Sequence, residues 1–223
     1  MRVIVQIYGV MSPDDGAMVA ELGADQIGVV VGERGTVWDA VDFEAANGIF
    51  GAIKTGATKV ALTLSSQTSE IETVIRAVHF DVLHLAAGVG GIQVDQVAEL
   101  KRRHPGLRVI RTIPVIGPEA AFAATAFEAV ADYLLLDSRD PDTMSVGATG
   151  RRHDWATSAR IVATVRTPVI LAGGLSPDNV REAIRTVRPW GVDSNTLTSR
   201  VDERTRKDRE RVRRFIEAAR GAV

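Results

Sequence analysis

Two aspartates stand where proton chemistry is most readily placed. Asp137 closes the apolar run Tyr133-Leu134-Leu135-Leu136, so its carboxyl emerges from a strand end. Partial burial there raises a carboxyl pKa and suits it to acid catalysis near neutral pH. A helix-capping or loop-bonding role fits the same position. Asp193 ends Gly191-Val192-Asp193 in the same way, and its alternative, a structural partner for nearby backbone N–H groups, is the stronger one. A different chemistry is offered by Leu171-Ala172-Gly173-Gly174-Leu175-Ser176-Pro177. Gly173 and Gly174 let the backbone approach an anion closely, and the Ser176-Pro177 signature of a helix start aims N–H groups at the same place. Phosphate is the natural guest, and a tight strand-to-helix turn without a ligand is the alternative.

The other reactive side chains narrow the field. Of 4 histidines only His84 falls at a strand end, and no pair has ligand spacing, so no metal is expected, a set of His84 with Asp137 and Asp193 being the alternative. Lys59 begins a strand, Lys54 and Lys101 lie in helical patterns and Lys207 starts the final helix, an arrangement that argues against a Schiff-base aldolase. The chain has 0 cysteines, which excludes disulfides, thiolate metal sites and cysteine nucleophiles. With 27 basic against 28 acidic residues and 5% aromatics, it lacks the basic footprint and stacking inventory of a nucleic-acid binder. The eight basic and four acidic residues of Arg200–Arg214 read as a solvated helix face with internal ion pairs. No apolar stretch approaches the ~20 residues of a membrane span, and the run Met1–Val5 is too short for a signal-peptide core, so a cytoplasmic location is expected.

Apolar runs bounded by turn signals predict eight strands: Val3–Ile7, Gln26–Val31, Lys59–Leu64, Val82–Leu85, Arg108–Ile113, Tyr133–Leu136, Val169–Leu171 and Gly191–Asp193. Helical patterns separate them, at Pro13–Leu22, Phe43–Lys54, Ser69–Val78, Val94–Arg103, Pro118–Val130, Trp155–Val165, Ser176–Val187 and Lys207–Ala219. Eight alternations at roughly 28 residues per unit predict a single-domain (β/α)8 TIM barrel over residues 1–223. A doubly wound sheet competes less well, because Gly9 is followed by Val10-Met11-Ser12 with no second or third glycine at the fingerprint spacing. In a barrel the active site gathers at the carboxyl ends of the strands. That places Tyr8, Arg34, His84, Asp137, Gly173-Gly174, Asp193, Asn195 and Thr196 on one face.

With these residues in view, the chain resembles phosphoribosylanthranilate isomerase over nearly its whole length. The resemblance rests on Gly23-Ala24-Asp25-Gln26-Ile27-Gly28, Leu134-Leu135-Leu136-Asp137, Gly147-Ala148-Thr149-Gly150 with His153-Asp154-Trp155, Pro168–Leu175 with Pro177 and Asn179-Val180, Gly191-Val192-Asp193, and Lys207-Asp208. It implies cofactor-free chemistry, with Asp137 as general acid on a ribose ring oxygen. The family's general base is a cysteine at the end of the first strand, and Tyr8 stands there in Gln6-Ile7-Tyr8-Gly9. A phenol with a free pKa near ~10 is a poor base at neutral pH unless strongly perturbed. The family's Gln-Leu-His-Gly appears as His84-Leu85-Ala86-Ala87, and its Val-Ser-Ser-Gly as Ser194-Asn195-Thr196-Leu197. Loss of that glycine puts a side chain where backbone would approach phosphate, although Asn195 and Thr196 retain hydrogen-bond donors. The resemblance also implies Arg34 as the counterpart of the arginine that holds the anthranilate carboxylate.

Three readings follow. The first is a diverged isomerase of a phosphorylated sugar or aminosugar (an Amadori-type aldose-ketose rearrangement), with Asp137 as acid and Tyr8 or His84 as its proton-transfer partner. Gly173, Gly174, Asp193, Asn195, Thr196 and Arg34 would bind the small phosphorylated ligand. The second is a barrel that binds such a ligand without turning it over, in a regulatory or binding role. The third is the original isomerase working without its cysteine. No nucleic-acid or membrane partner is expected, and nothing in the sequence sets an oligomeric state.

Overall fold

The computed structural model describes residues 2–32, 37–87, 91–138 and 154–222. Among the described residues nine strands run in chain order: β1 (Ile4–Ile7), β2 (Gln26–Val31), β3 (Ala40–Val41), β4 (Thr58–Thr63), β5 (Val82–Leu85), β6 (Val109–Pro114), β7 (Tyr133–Asp137), β8 (Val169–Leu171) and β9 (Gly191–Ser194). All pair in parallel, and β1 pairs with both β2 and β9, which closes eight of them into a barrel. β3 lies outside the ring as a two-residue addition to β2. It escapes sequence reading because two residues carry no periodicity.

The α-helices among the described residues follow the strands: α1 (Pro13–Glu21), α2 (Phe43–Ala52), α3 (Thr68–Ala77), α4 (Val94–Arg103), α5 (Ala120–Glu128), α6 (Trp155–Thr164), α7 (Val180–Val187) and α8 (Arg209–Arg220). Ser12 caps α1, accepting a hydrogen bond from Asp15 N at 3.2 Å. At α7 the structure departs from expectation. Residues 177–179 form a turn in which Ser176 Oγ accepts from Asp178 N, and the helix starts at Val180 after Asn179. The N–H groups of α7 are therefore set back from the glycine pair by a turn.

Strand alternation sorts the side chains into two layers. Val60, Val82, Ile110, Leu135, Ile170 and Ala172 meet inside the barrel together with Tyr8. The opposite set, including Ile7, Val29, Ala61, Leu83, Leu136 and Leu171, packs against helices. The same alternation fixes the site, because positions two residues beyond an interior apolar side chain face the barrel axis again. His84 follows Val82, Thr112 follows Ile110, and Asp137 follows Leu135.

Among the described residues no helix is long and apolar enough to cross a membrane.

Candidate active site

At the carboxyl end of the barrel, Asp137, Gly173, Gly174, Leu175, Asp193, Ser194, Asn195, Thr196 and Leu197 line a small cavity. Two carboxyls thus face the glycine pair and the loop after β9. Asp137 is partly buried and accepts from Ser138 N at 2.7 Å. Loss of solvation outweighs that bond and pushes its pKa up to about 7. Asp193 is 7% exposed and is pushed up to about 8, first by burial and then by the charge of Asp137. Gln6 Nε2 donates to Asp193 Oδ1 at 3.2 Å, and this bond and the Lys207 charge both favour the ionised form of Asp193. A cavity with two raised, mutually coupled carboxyls holds one acid and one base near neutral pH.

The glycine pair owes its shape to backbone angles that side chains rarely adopt. Gly173 has φ 82° and Gly174 φ 66°, so two successive left-handed residues turn the chain around the cavity. Asn179 Nδ2 donates to Gly174 O at 2.9 Å, and Ser194 Oγ donates to Leu175 O at 2.8 Å. The second bond ties the end of β9 to the glycine turn. On the other wall, Asn195 Nδ2 donates to Asp39 Oδ2 at 2.8 Å, which anchors the β9 loop to the segment before β3.

Tyr8 and His84 meet, but inside the barrel rather than on the cavity wall. Tyr8 Oη lies 2.6 Å from His84 Nδ1, and His84 Nε2 lies 2.6 Å from Thr112 Oγ1. Neither Tyr8 nor His84 is among the residues that line the cavity. The ring of Tyr8 lies over Gly28, where a Cβ would come within 2.3 Å of its Cε1, so β2 admits the phenol only because it carries glycine there. Burial and the nearby Asp193 and Asp39 charges hold the phenol pKa well above its ordinary value. Burial and the Arg111 charge push His84 down to about 3. Both groups are therefore neutral at pH 7, and neither is a ready proton acceptor.

Arg34 lies outside the described residues, as do Gly147-Ala148-Thr149-Gly150 and His153. Among the described residues no group of three or more His, Cys, Asp or Glu is placed to hold a metal ion.

Three polar residues near the site escape sequence reading. Arg111 is 5% exposed and gives Nη1 to Leu85 O at 3.0 Å and Ala87 O at 2.9 Å, holding the loop after β5. A lone charge within Val109-Ile110-Arg111-Thr112-Ile113 was its signal. Asp39, buried beside Asn195, leaves no signal. Lys207 belongs to the charge-rich stretch that reads as a solvated face, yet it is 4% exposed and bonded to the β9 loop.

The profile of the N-(5'-phosphoribosyl)anthranilate (PRA) isomerase family matches residues 43–218. The chain is 35% identical over 221 residues to N-(5'-phosphoribosyl)anthranilate isomerase 2 of Methanosarcina mazei, covering 96% of this chain and 93% of that one. It is 35% identical to the corresponding protein of Haloferax volcanii, covering 98% and 95%. Among solved structures, phosphoribosyl anthranilate isomerase of Thermotoga maritima superposes with a TM-score of 0.82 at 24% identity, over 98% of this chain and 99% of that one. A phosphoribosyl anthranilate isomerase in complex with reduced 1-(o-carboxyphenylamino)-1-deoxyribulose 5-phosphate superposes at 0.80 and 23% identity, over 98% and 99%. At these identities the structures speak for the fold.

Proposed function

The chain belongs to the N-(5'-phosphoribosyl)anthranilate isomerase family, and from that membership we propose that it isomerises a phosphorylated aminosugar with Asp137 and Asp193 as its acid–base pair. The observation that carries this reading is the pair of raised carboxyls facing one cavity with the Gly173-Gly174 turn. Protonated Asp137 gives its proton to the furanose ring oxygen as the C1–O bond breaks and the amine nitrogen forms a C1=N bond. Ionised Asp193 takes the proton from C2 to give an enolamine; Asp193 then returns a proton to C1 while the C2 hydroxyl proton passes to ionised Asp137, leaving the C2 ketone and both carboxyls as they began. Every atom of the substrate is retained and no electron acceptor is needed. With Asp137 at about 7 and Asp193 at about 8, the shared proton rests mainly on Asp193; the reaction proceeds from the less populated form with the proton on Asp137, and the neutral Tyr8 and His84 offer no better acceptor than ionised Asp193.

The Gly173-Gly174 turn and the Ser194–Leu197 loop would hold the phosphate, with Asn195 and Thr196 adding side-chain donors. A barrel of the same fold solved with a ribulose 5-phosphate derivative supports this ligand class. Arg34 remains the proposed partner for an aryl carboxylate.

A second reading, a phosphate-ligand-binding barrel without turnover, is favoured by Tyr8, which fills the barrel centre at the strand end where the family's thiol would stand. Loss of fluorescence from phosphoribosylanthranilate separates the two. Turnover that Asp137→Asn removes supports the isomerase. Thermal stabilisation by ribose 5-phosphate with no turnover supports the binding barrel.

A further inference from the structure

The cavity that would hold the phosphate has no basic side chain among its described lining residues. One layer behind it lies Lys207, at the end of the chain segment that leaves the 3₁₀ turn Thr196–Thr198 and returns to α8. Ser199 and Lys207 form an antiparallel bridge that closes this segment into a strap. Lys207 Nζ donates to Asn195 O at 2.9 Å, to Asn195 Oδ1 at 3.2 Å and to Ser199 Oγ at 2.9 Å. All three acceptors are uncharged, and two belong to a residue of the cavity wall. The strap is itself anchored. Asp15 of α1 accepts Lys207 N at 3.2 Å and Arg206 Nε at 3.0 Å, and the Arg204 guanidinium sits 3.9 Å from the centre of the Trp38 ring.

A buried ammonium that donates all its protons to neutral oxygens is costly unless its charge has a use nearby. Here it fixes both the backbone and the carboxamide of Asn195, whose Nδ2 is turned away to Asp39. The main chain of 195–197 is thereby set against Gly173-Gly174, and a positive charge stands directly behind it. We propose that Lys207 is the positioning residue of this anion site, holding the loop after β9 in place and supplying the positive charge that its lining lacks. The inference rests on the reading that the cavity takes a phosphorylated ligand.

Three carboxyls bear on Lys207, Asp193 from β9, Asp39 before β3 and Asp15 from α1, with Arg206 adjacent and Asp208 capping α8. They raise its pKa, but burial acts more strongly and brings it down to about 7. Its charge is therefore full at pH 6 and lost by pH 9.

Sulfate is the test probe, because its own charge does not change over this range. Its dissociation constant is measured by titration at pH 6, 7, 8 and 9 in the wild type and in Lys207→Met. The expected ratio of mutant to wild-type constants is at least tenfold at pH 6 and falls toward one by pH 9, as the wild type loses the charge that the variant lacks. Because Lys207 bears on Asp193 and its removal shifts that carboxyl, the same pair of titrations is made in an Asp193→Asn background, where the fall of the ratio with pH reports Lys207 without Asp193. A ratio near one at pH 6, or a large ratio that does not change with pH, overturns the role of Lys207. Ser199→Ala, which removes one acceptor and keeps the charge, is expected to weaken sulfate binding a few-fold and covers the case of a poorly folding Lys207 variant; unchanged affinity there counts against the proposal. Wild-type protein that binds neither sulfate nor ribose 5-phosphate overturns the anion-site reading, and this inference with it.

Discussion

Tyr8 Oη and His84 Nδ1 are 2.6 Å apart in the interior of the barrel, and the second imidazole nitrogen is the same distance from Thr112 Oγ1. With the ring held neutral, one nitrogen donates and the other accepts, so the three side chains form a single directed chain of hydrogen bonds from β1 through β5 to β6. Tyr8 stands where the resemblance places a general base, yet its phenol is bound into the core and kept protonated by its surroundings. It packs in the barrel interior and orders its neighbours there.

Tyr8→Phe tests this. Loss of the hydroxyl leaves His84 Nδ1 buried without its partner, at a cost of about 1–3 kcal/mol in urea denaturation. Turnover of phosphoribosylanthranilate is expected to fall by far less than the ~10²–10⁴-fold that follows removal of a general acid or base. A loss within that range would return the proton-transfer role to Tyr8.

Asp137→Asn is expected to cost the full ~10²–10⁴-fold in kcat/KM, because the carboxamide keeps the shape and the bond from Ser138 N but has no acidic proton to transfer to the ring oxygen. Sugar-phosphate binding should survive, read as an unchanged rise in Tm with ribose 5-phosphate. Asp137→Asn with near wild-type turnover would eliminate the acid assignment.

The pH profile follows from the pair. Turnover requires one proton on two carboxyls that titrate near about 7 and about 8. Below the lower value both are protonated and the base is lost. Above the higher value both are ionised and the acid is lost, so kcat/KM should trace a narrow bell with its maximum between them. A plateau extending down to pH 5 would be incompatible with the carboxyl pair.

Much of the scaffold was legible in the sequence. The strands Gln26–Val31, Val82–Leu85 and Val169–Leu171 and the helix Val94–Arg103 begin and end where their apolar patterns and turn residues put them. The positions of Asp137, Asp193, Gly173 and Gly174 on one cavity follow from the barrel rule once those strands are set. What period and composition do not encode is which charges become buried. Lys207 and Arg204 share a run of like residues, and only the fold sends Lys207 inward to Asn195 while Arg204 stays over Trp38. The start of α7 is similar, since the Asn179 side chain accepts from Ser176 N and donates to Gly174 O, holding residues 177–179 in a turn before the helix.

Asp193 carries a further consequence, for stability. Its pKa is about 8 in the folded chain and about 3.9 when unfolded, so between these values the native state keeps a proton that the unfolded chain has released. The sign is that of a raised folded pKa: the full contribution is present at low pH, declines as pH rises from about 4 to about 8, and is gone above. Asp193→Asn has no such proton to lose, and its Oδ1 still accepts from Gln6 Nε2. The variant should therefore gain on the wild type with rising pH, on the order of a few kcal/mol between pH 5 and pH 9, in urea denaturation at each pH. A stability difference that stays constant across this range would mean that Asp193 is ionised in the folded protein throughout, and would remove the shared proton on which the acid–base pair depends.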